Sequence, residues 1–242
     1  MAGIEQISSS VDALMKEFDT LTHNVANVST TGYKRRCNAF SQSLKSLSAG
    51  QANSPGQINV ESALDFSQGG FVQTGRPMDF ALYGNGFFVV ETAQGPLYTR
   101  NGTFFTNQNG QIVDEQGRIV AGQSGAITIP NNLDLSQLSV SANGTLGLAG
   151  SVLGQFKIVD FRDNQGKLVP VGTNCYQMPE EFGTAVPAEK TVVKQGYVEA
   201  SNVKVIEELV DMIMVTRLYE ANMKLVSAQK DNSGSIISAA MG

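Results

Sequence analysis

Tryptophan is absent from this sequence, histidine occurs once, cysteine twice, and charged residues make up only 16% of its 242 positions. Each scarcity closes off a class of chemistry. His23 is the only imidazole, so neither a histidine-based metal site nor a Ser-His-Asp triad can form without it. Cys37 and Cys175 fit neither a zinc spacing nor a CxxC redox pair and read as ordinary small residues. The 17 basic and 22 acidic residues leave a net charge of -5, which offers no electrostatic footprint to nucleic acid or an anionic membrane. No window reaches the roughly 18 apolar residues of a membrane span, so direct membrane insertion is not expected. The opening stretch carries Glu5, Asp12, Lys16, Glu17 and Asp19, and no cleaved secretory signal is expected either.

Apolar periodicity is what the sequence does hold. Ile4, Ile7, Val11, Leu14, Phe18, Leu21, Val25 and Val28 follow in alternating steps of three and four, a seam of period 3.5 that predicts a helix. With 41% apolar residues, such a run arises by chance about once in a thousand tries. Ser29, Thr30 and Thr31 are poor helix formers and Gly32 can take the left-handed conformation that closes a helix, which places the end near residue 30. Towards the C-terminus Asn202 is a good helix cap, and Glu207 and Glu208 suit the positive end of the helix dipole. One seam there reads Val205, Leu209, Met212, Thr216, Tyr219, Met223 and Val226. A second stripe, Val203, Ile206, Val210 and Ile213, joined by Met214 and Val215, makes the first half of this helix apolar around most of its circumference. One partner helix cannot cover so broad a band. Lys224 and Lys230 lie towards the negative end of the dipole, and Gly234 marks expected fraying.

Between the helices, residues 33–75 are rich in Ser, Gln, Asn and Gly and predict an extended linker with local structure. From Met78 to Val198 short runs of branched and aromatic residues alternate with turn dipeptides: Asn85-Gly86, Asn101-Gly102, Asn109-Gly110, Gln116-Gly117, Asn143-Gly144 and Gln165-Gly166. Hairpins are the natural reading, with strands at Phe87 to Glu91, Gln111 to Asp114, Ile127 to Ile129, Gln155 to Phe161 and Val192 to Val198. The expected class is α+β: an antiparallel pair of long terminal helices forming a coiled-coil stalk, with a central, mostly antiparallel all-β domain. Residues 1–32 are read as the N-terminal helix of a polymerisation stalk, 33–77 as linker, 78–198 as the β domain and 199–242 as the C-terminal helix. The surplus apolar surface at the second stripe needs partners from other chains, which makes self-assembly the physical expectation.

Several stretches resemble one family. Thr22-His-Asn-Val-Ala-Asn-Val-Ser-Thr-Thr-Gly-Tyr-Lys-Arg35 is similar to the N-terminal signature of bacterial flagellar axial proteins, the rod and hook group, with Val25 where leucine is usual. Gly84-Asn-Gly-Phe-Phe-Val-Val-Glu, Leu97-Tyr-Thr-Arg-Asn-Gly-Thr-Phe104 and Gly110-Gln-Ile-Val-Asp-Glu-Gln-Gly-Arg-Ile-Val-Ala-Gly122 resemble the family's β domain. Gln195-Gly-Tyr197, Asn202 to Val205, Glu207-Glu-Leu-Val-Asp-Met-Ile213 and Arg217-Leu-Tyr-Glu-Ala-Asn222 resemble its C-terminal helix and the approach to it. The resemblance implies a structural subunit of the basal-body rod, with no enzymatic activity. It further implies export through the flagellar type III apparatus without signal cleavage and assembly in the periplasm into a hollow shaft. That shaft would carry torque and let exported subunits pass. The length and the segment Gly125-Ala-Ile-Thr-Ile-Pro130 look closer to proximal than to distal rod proteins.

The candidate site is therefore a subunit interface: Ile4, Ile7, Val11, Leu14, Phe18, Leu21, Asn24, Val25, Asn27 and Val28 at one end, and Val203, Val205, Ile206, Leu209, Val210, Met212, Ile213, Tyr219, Met223 and Val226 at the other. Asn24 and Asn27 lie three apart on one helical face and are expected to hydrogen-bond across a subunit contact, fixing register. Expected partners are further copies, other rod and hook subunits, and the export apparatus. Lys34, Arg35 and Arg36 read first as a solvated face, with a contact to an acidic neighbouring subunit as the alternative, and Glu180 and Glu181 as an exposed turn. No cofactor is expected: Gly84-Asn-Gly86 lacks the third glycine of a dinucleotide loop and leads into a strand. A rival reading is a secreted β-rich module binding glycan or peptidoglycan, against which stand the missing tryptophan and the scattered tyrosines.

Overall fold

Helical periodicity at the two ends and strand periodicity between them yield two terminal helices and a large antiparallel β domain. The computed structural model describes residues 2–42, 58–130, 134–172 and 174–241, and the side chains within 8–38, 62–130, 134–162, 164–172 and 174–228. The chain divides into two units, one made of residues 1–26, 36–63 and 204–242, the other of 27–35 and 64–203.

In the first unit, helix α1 spans Ala2–Ala26 and helix α2 spans Val205–Met241. They pack against each other, and a two-stranded sheet of Arg36–Gln42 and Ile58–Leu64 accompanies them. The strand Arg36–Gln42 is tied to α1 by Asn38, whose amide donates to Glu17 Oε2 and Thr20 Oγ1, both at 2.9 Å. Helix α1 stops at Ala26, short of residue 30, because Asn27 begins a turn: Thr30 N–H donates to the Asn27 carbonyl at 3.0 Å and Thr30 Oγ1 to Asn27 Oδ1 at 3.2 Å. At the other end α2 continues through Gly234, where fraying was expected.

The buried side of α2 is rotated from the expected seam. Glu208 and Val215 are buried and Met212, Tyr219, Asn222 and Val226 half-buried, which keeps steps of four and three but replaces Leu209, Thr216 and Met223 by the residue just before each. The rotation follows from Glu208 turning inward to accept a hydrogen bond from Asn24. Its consequence is that Ile206, Val210, Ile213, Met214, Leu218 and Leu225 remain exposed, Ile206 to 74%.

In the second unit every pairing is antiparallel among the described residues. The main sheet runs in the order Val169–Val171, Cys175–Gln177, Gly95–Thr99, Phe87–Thr92, Ile119–Gly122, Ile112–Val113, Phe105–Thr106. Its centre is buried on both faces, which is why Phe87-Phe88-Val89-Val90 is continuously apolar. Alternate residues feed opposite cores. Phe88 packs with Phe80, Phe104, Phe156, Leu82, Ile112 and Leu146, whereas Phe87 and Val89 pack with Tyr98, Phe161, Leu168 and Tyr176. Edge-to-face ring pairs, Phe88 on Phe104 at 5.0 Å and Tyr98 on Phe161 at 4.7 Å, knit each core.

Three of the expected hairpin turns join paired strands: Asn109-Gly110, Gln116-Gly117 and Asn143-Gly144. The other three do not. Asn85-Gly86 separates Phe80–Tyr83 from Phe87–Thr92, which pair with different strands, and Gln165-Gly166 lies in a short 3-10 helix, Arg162–Lys167. At Asn101-Gly102 the glycine serves close approach: a Cβ on Gly102 would sit 1.7 Å from the Phe80 carbonyl oxygen. The expected strand at Ile127 to Ile129 is only a bridge through Thr128, and Val192 to Val198 splits into Val192–Gln195 and Tyr197–Glu199, which pair with Phe80–Tyr83 and Phe71–Gln73.

Candidate functional site

The residues of the N-terminal signature do their work in both units. In the first unit Asn24 is fully buried and grips the backbone of Arg36 at both ends: its Nδ2 donates to the Arg36 carbonyl at 2.8 Å and its Oδ1 accepts from the Arg36 N–H at 2.9 Å. Its second amide proton goes to Glu208 Oε2 at 3.0 Å, and Glu208 is also fully buried. One side chain thus fastens α1, the Arg36–Gln42 strand and the first turn of α2. These three bonds of Asn24 all lie within its own chain. His23 beside it is exposed, and its imidazole is held below the ordinary value by partial burial and then by the nearby Arg36 cation.

In the second unit the stretch 27–35 is docked by two devices. Gly32 takes a φ of +70°, its N–H donates to the Glu199 carbonyl at 2.7 Å, and a Cβ there would lie 2.4 Å from the Asn101 nitrogen. Lys34, expected to be solvated, is only 1% exposed: its Nζ donates to Glu199 Oε1 and to the Ser67 carbonyl, each at 2.7 Å. The other Glu199 oxygen faces Arg100 Nη1 at 3.6 Å. Arg100 is itself buried, donates to the Gly84 carbonyl at 2.7 Å and stacks over Phe87 at 4.8 Å. Burial pushes both Lys34 and Arg100 below their usual values, and the Glu199 carboxylate pulls the other way. A desolvated ammonium is retained here because an equally desolvated carboxylate touches it. Asn202 is likewise not a helix cap: its Oδ1 accepts from Arg35 N–H at 2.7 Å and its Nδ2 donates to the Asp65 carbonyl at 2.8 Å.

A polar cleft of about 260 Å³ in the same unit is lined by Ser29, Thr30, Thr31, Asn101, Asp114, Arg118, Asn174 and Cys175 among others. Arg118 is held by Asp114 at 2.6 Å and donates to Cys175 Sγ at 3.0 Å, while burial pushes the thiol up, so it stays protonated and unreactive at neutral pH. Among the described residues no cluster of His, Cys, Asp and Glu converges on a metal position, and no helix is long and apolar enough to cross a membrane.

The expected interface residues fall into three groups. Ile4 and Ile7 lie outside the residues whose side chains are described. Leu21, Asn24 and Val203 are buried, and Val11, Leu14, Val25, Asn27, Val28, Met212, Tyr219 and Val226 half-buried. Phe18, Val205, Ile206, Leu209, Val210, Ile213 and Met223 are exposed. Lys34, Arg100, Glu199 and Glu208 were not singled out as buried. Glu199 carries the one available hint, an acidic residue between the apolar neighbours Val198 and Ala200, whereas Lys34 opens the basic run Lys34-Arg35-Arg36 and gives none.

Comparison with known proteins fits this arrangement. Residues 81–147 match the family model for the flagellar hook protein FlgE/F/G D1 domain, and residues 194–239 that for the flagellar basal body rod FlgEFG protein C-terminal region. A flagellar basal-body rod protein FlgG from Buchnera aphidicola subsp. Acyrthosiphon pisum is 32% identical, over 90% of this chain and 92% of that protein. The chain belongs to the flagellar basal-body rod protein family. FlgG of Agrobacterium fabrum is 31% identical over 98% of both chains, and the rod protein FlgF of Salmonella typhimurium 30% identical over 87% of both. As a flagellar rod protein of the basal body, the chain is a structural subunit and not an enzyme.

Proposed function

We propose that this rod subunit polymerises through its terminal helices, with sister copies and other axial subunits covering the apolar surface that one chain leaves open. The observation that carries the reading is the outward band of α2, where Ile206, Val210, Ile213 and Met214 are each more than half exposed. Burying such a side chain contributes about 1.5 to 3 kcal/mol, so four contribute on the order of 6 to 12 kcal/mol before the cost of association. In this reading α1 and α2 form an antiparallel coiled-coil stalk: residues 1–32 and 199–242 are the polymerisation elements, 33–77 the connecting segment and 78–198 the β domain. The exposed apolar residues of α2, together with Phe18 and the seam from Ile4 onward, make the contacts. Asn24 shapes the contact surface from within the chain, by fixing the rotation of α2. The product is a hollow periplasmic shaft that transmits torque and passes exported subunits, and each copy reaches it through the flagellar type III apparatus without signal cleavage. Combining Ile206→Ser with Ile213→Ser tests this. The variant should fold as the wild type by circular dichroism yet leave basal bodies without complete rods and cells non-motile; normal rods would refute the reading.

A further inference from the structure

The second unit carries an exposed aromatic patch that the helical contacts do not use. On the strand pair Phe80–Tyr83 and Val192–Gln195, Phe80, Leu82 and Val193 enter the core, and the register sets Tyr83 opposite Val192, both exposed. Lys194 rises from this surface with its Nζ 5.1 Å from the ring centre of Phe71, 5.7 Å from Tyr83 and 6.0 Å from Tyr197. A cation among three rings has lost part of its water on one side, which sharpens its preference for a carboxylate arriving from the other. Among the described residues no carboxylate of its own chain lies within ion-pair distance of Lys194. Aromatic side chains such as these are enriched at the centres of protein interfaces.

The same unit offers the complement. The short 3-10 turn Glu180–Phe182 presents two exposed carboxylates, neither with a partner among the described residues, beside a ring that is 38% exposed. Asp114, by contrast, is already paired with Arg118. We propose that the Lys194 patch of one copy receives the Glu180-Glu181-Phe182 turn of a second copy. Lys194 meets the carboxylates, and the Phe182 ring lies on Tyr83 and Val192. Two different patches meeting head to tail form a heterologous contact, the kind that propagates into an open helical filament instead of closing a dimer. The inference rests on the reading that the chain polymerises, but on a surface distinct from the α2 band.

The test is self-association of the purified full-length chain by sedimentation velocity. Lys194→Glu, and separately Glu180→Lys with Glu181→Lys, should each weaken association about tenfold while leaving the circular dichroism spectrum unchanged. Mixing the two variants should restore it, because each then offers the other an opposite charge. Unchanged association of Lys194→Glu overturns the proposal, and loss without restoration on mixing overturns the assignment of the acidic turn. Ile206→Ser with Ile213→Ser, run alongside, separates this contact from the helical one: association lost there but intact in Lys194→Glu leaves the helical reading standing and removes this one.

Discussion

Replacing Lys34 by methionine isolates the ion cluster that docks residues 27–35. Lys34 and Glu199 both have fully buried side chains, and their charged atoms are 2.7 Å apart. Removing one partner of a buried pair costs about 3 to 5 kcal/mol, chiefly because the other charge is stranded away from water. The lower end applies here. Glu199 keeps the Gly69 N–H at 3.0 Å and the Arg100 guanidinium at 3.6 Å, so the expected loss is about 3 kcal/mol. For a unit of this size that corresponds to a fall in Tm of about 6 to 12 °C. Urea unfolding of the full chain, followed by circular dichroism, measures the loss, and the double variant Lys34→Met with Glu199→Gln checks its origin. Because the penalty belongs to the stranded carboxylate, the double variant should recover at least half of it. A Lys34→Met variant within about 0.5 kcal/mol of the wild type, the usual range for surface substitutions, would refute the reasoning, as would strictly additive losses in the double variant.

Three further outcomes are expected. Asn24→Leu removes three hydrogen bonds and leaves the buried Glu208 carboxylate without its amide donor. The first unit should lose about 2 to 4 kcal/mol, and hydrogen exchange at the Arg36 amide should accelerate while the β domain keeps its protection. Gly32→Ala places a Cβ 2.4 Å from the Asn101 nitrogen at a φ of +70°, so Tm should fall by several degrees, with a loss of about 2 kcal/mol or more. His23, the single imidazole, should titrate below its ordinary value of 6.5 in a proton NMR titration. The folded state then binds fewer protons than the unfolded one at pH values just below 6.5. Its contribution to stability is therefore full above 6.5 and declines as pH falls through that value, a slope that His23→Gln should remove.

Much of the fold is legible in the sequence because period and turn chemistry are local. The unbroken seam from Val11 to Val25 marks α1, and Asn109-Gly110, Gln116-Gly117 and Asn143-Gly144 mark true hairpins. Non-local contacts are where local reading fails. Asn101-Gly102 has the composition of a hairpin turn, yet its glycine is required by the Phe80 backbone, distant in sequence. Asn202 has the composition of a helix cap, yet its amide is claimed by Arg35 and Asp65. The rotation of α2 has the same origin. A seam counted from apolar residues alone puts Leu209 inside, whereas the hydrogen bond from Asn24 draws in Glu208, a residue whose charge argues for the surface. The broad apolar band on α2 was readable because breadth does not depend on rotation: whichever side faces α1, Ile206, Val210 and Ile213 cannot all be covered by one helix.

Hydrogen exchange of the free chain compared with the assembled rod bears most directly on whether other subunits complete the helical surface. In the free chain, residues 1–30 and 203–240 should exchange faster than the protected 80–198, and on assembly the amides around Ile206 to Leu225 should slow by orders of magnitude. Helices already fully protected in the dilute monomer, with no further slowing in the rod, would contradict the account.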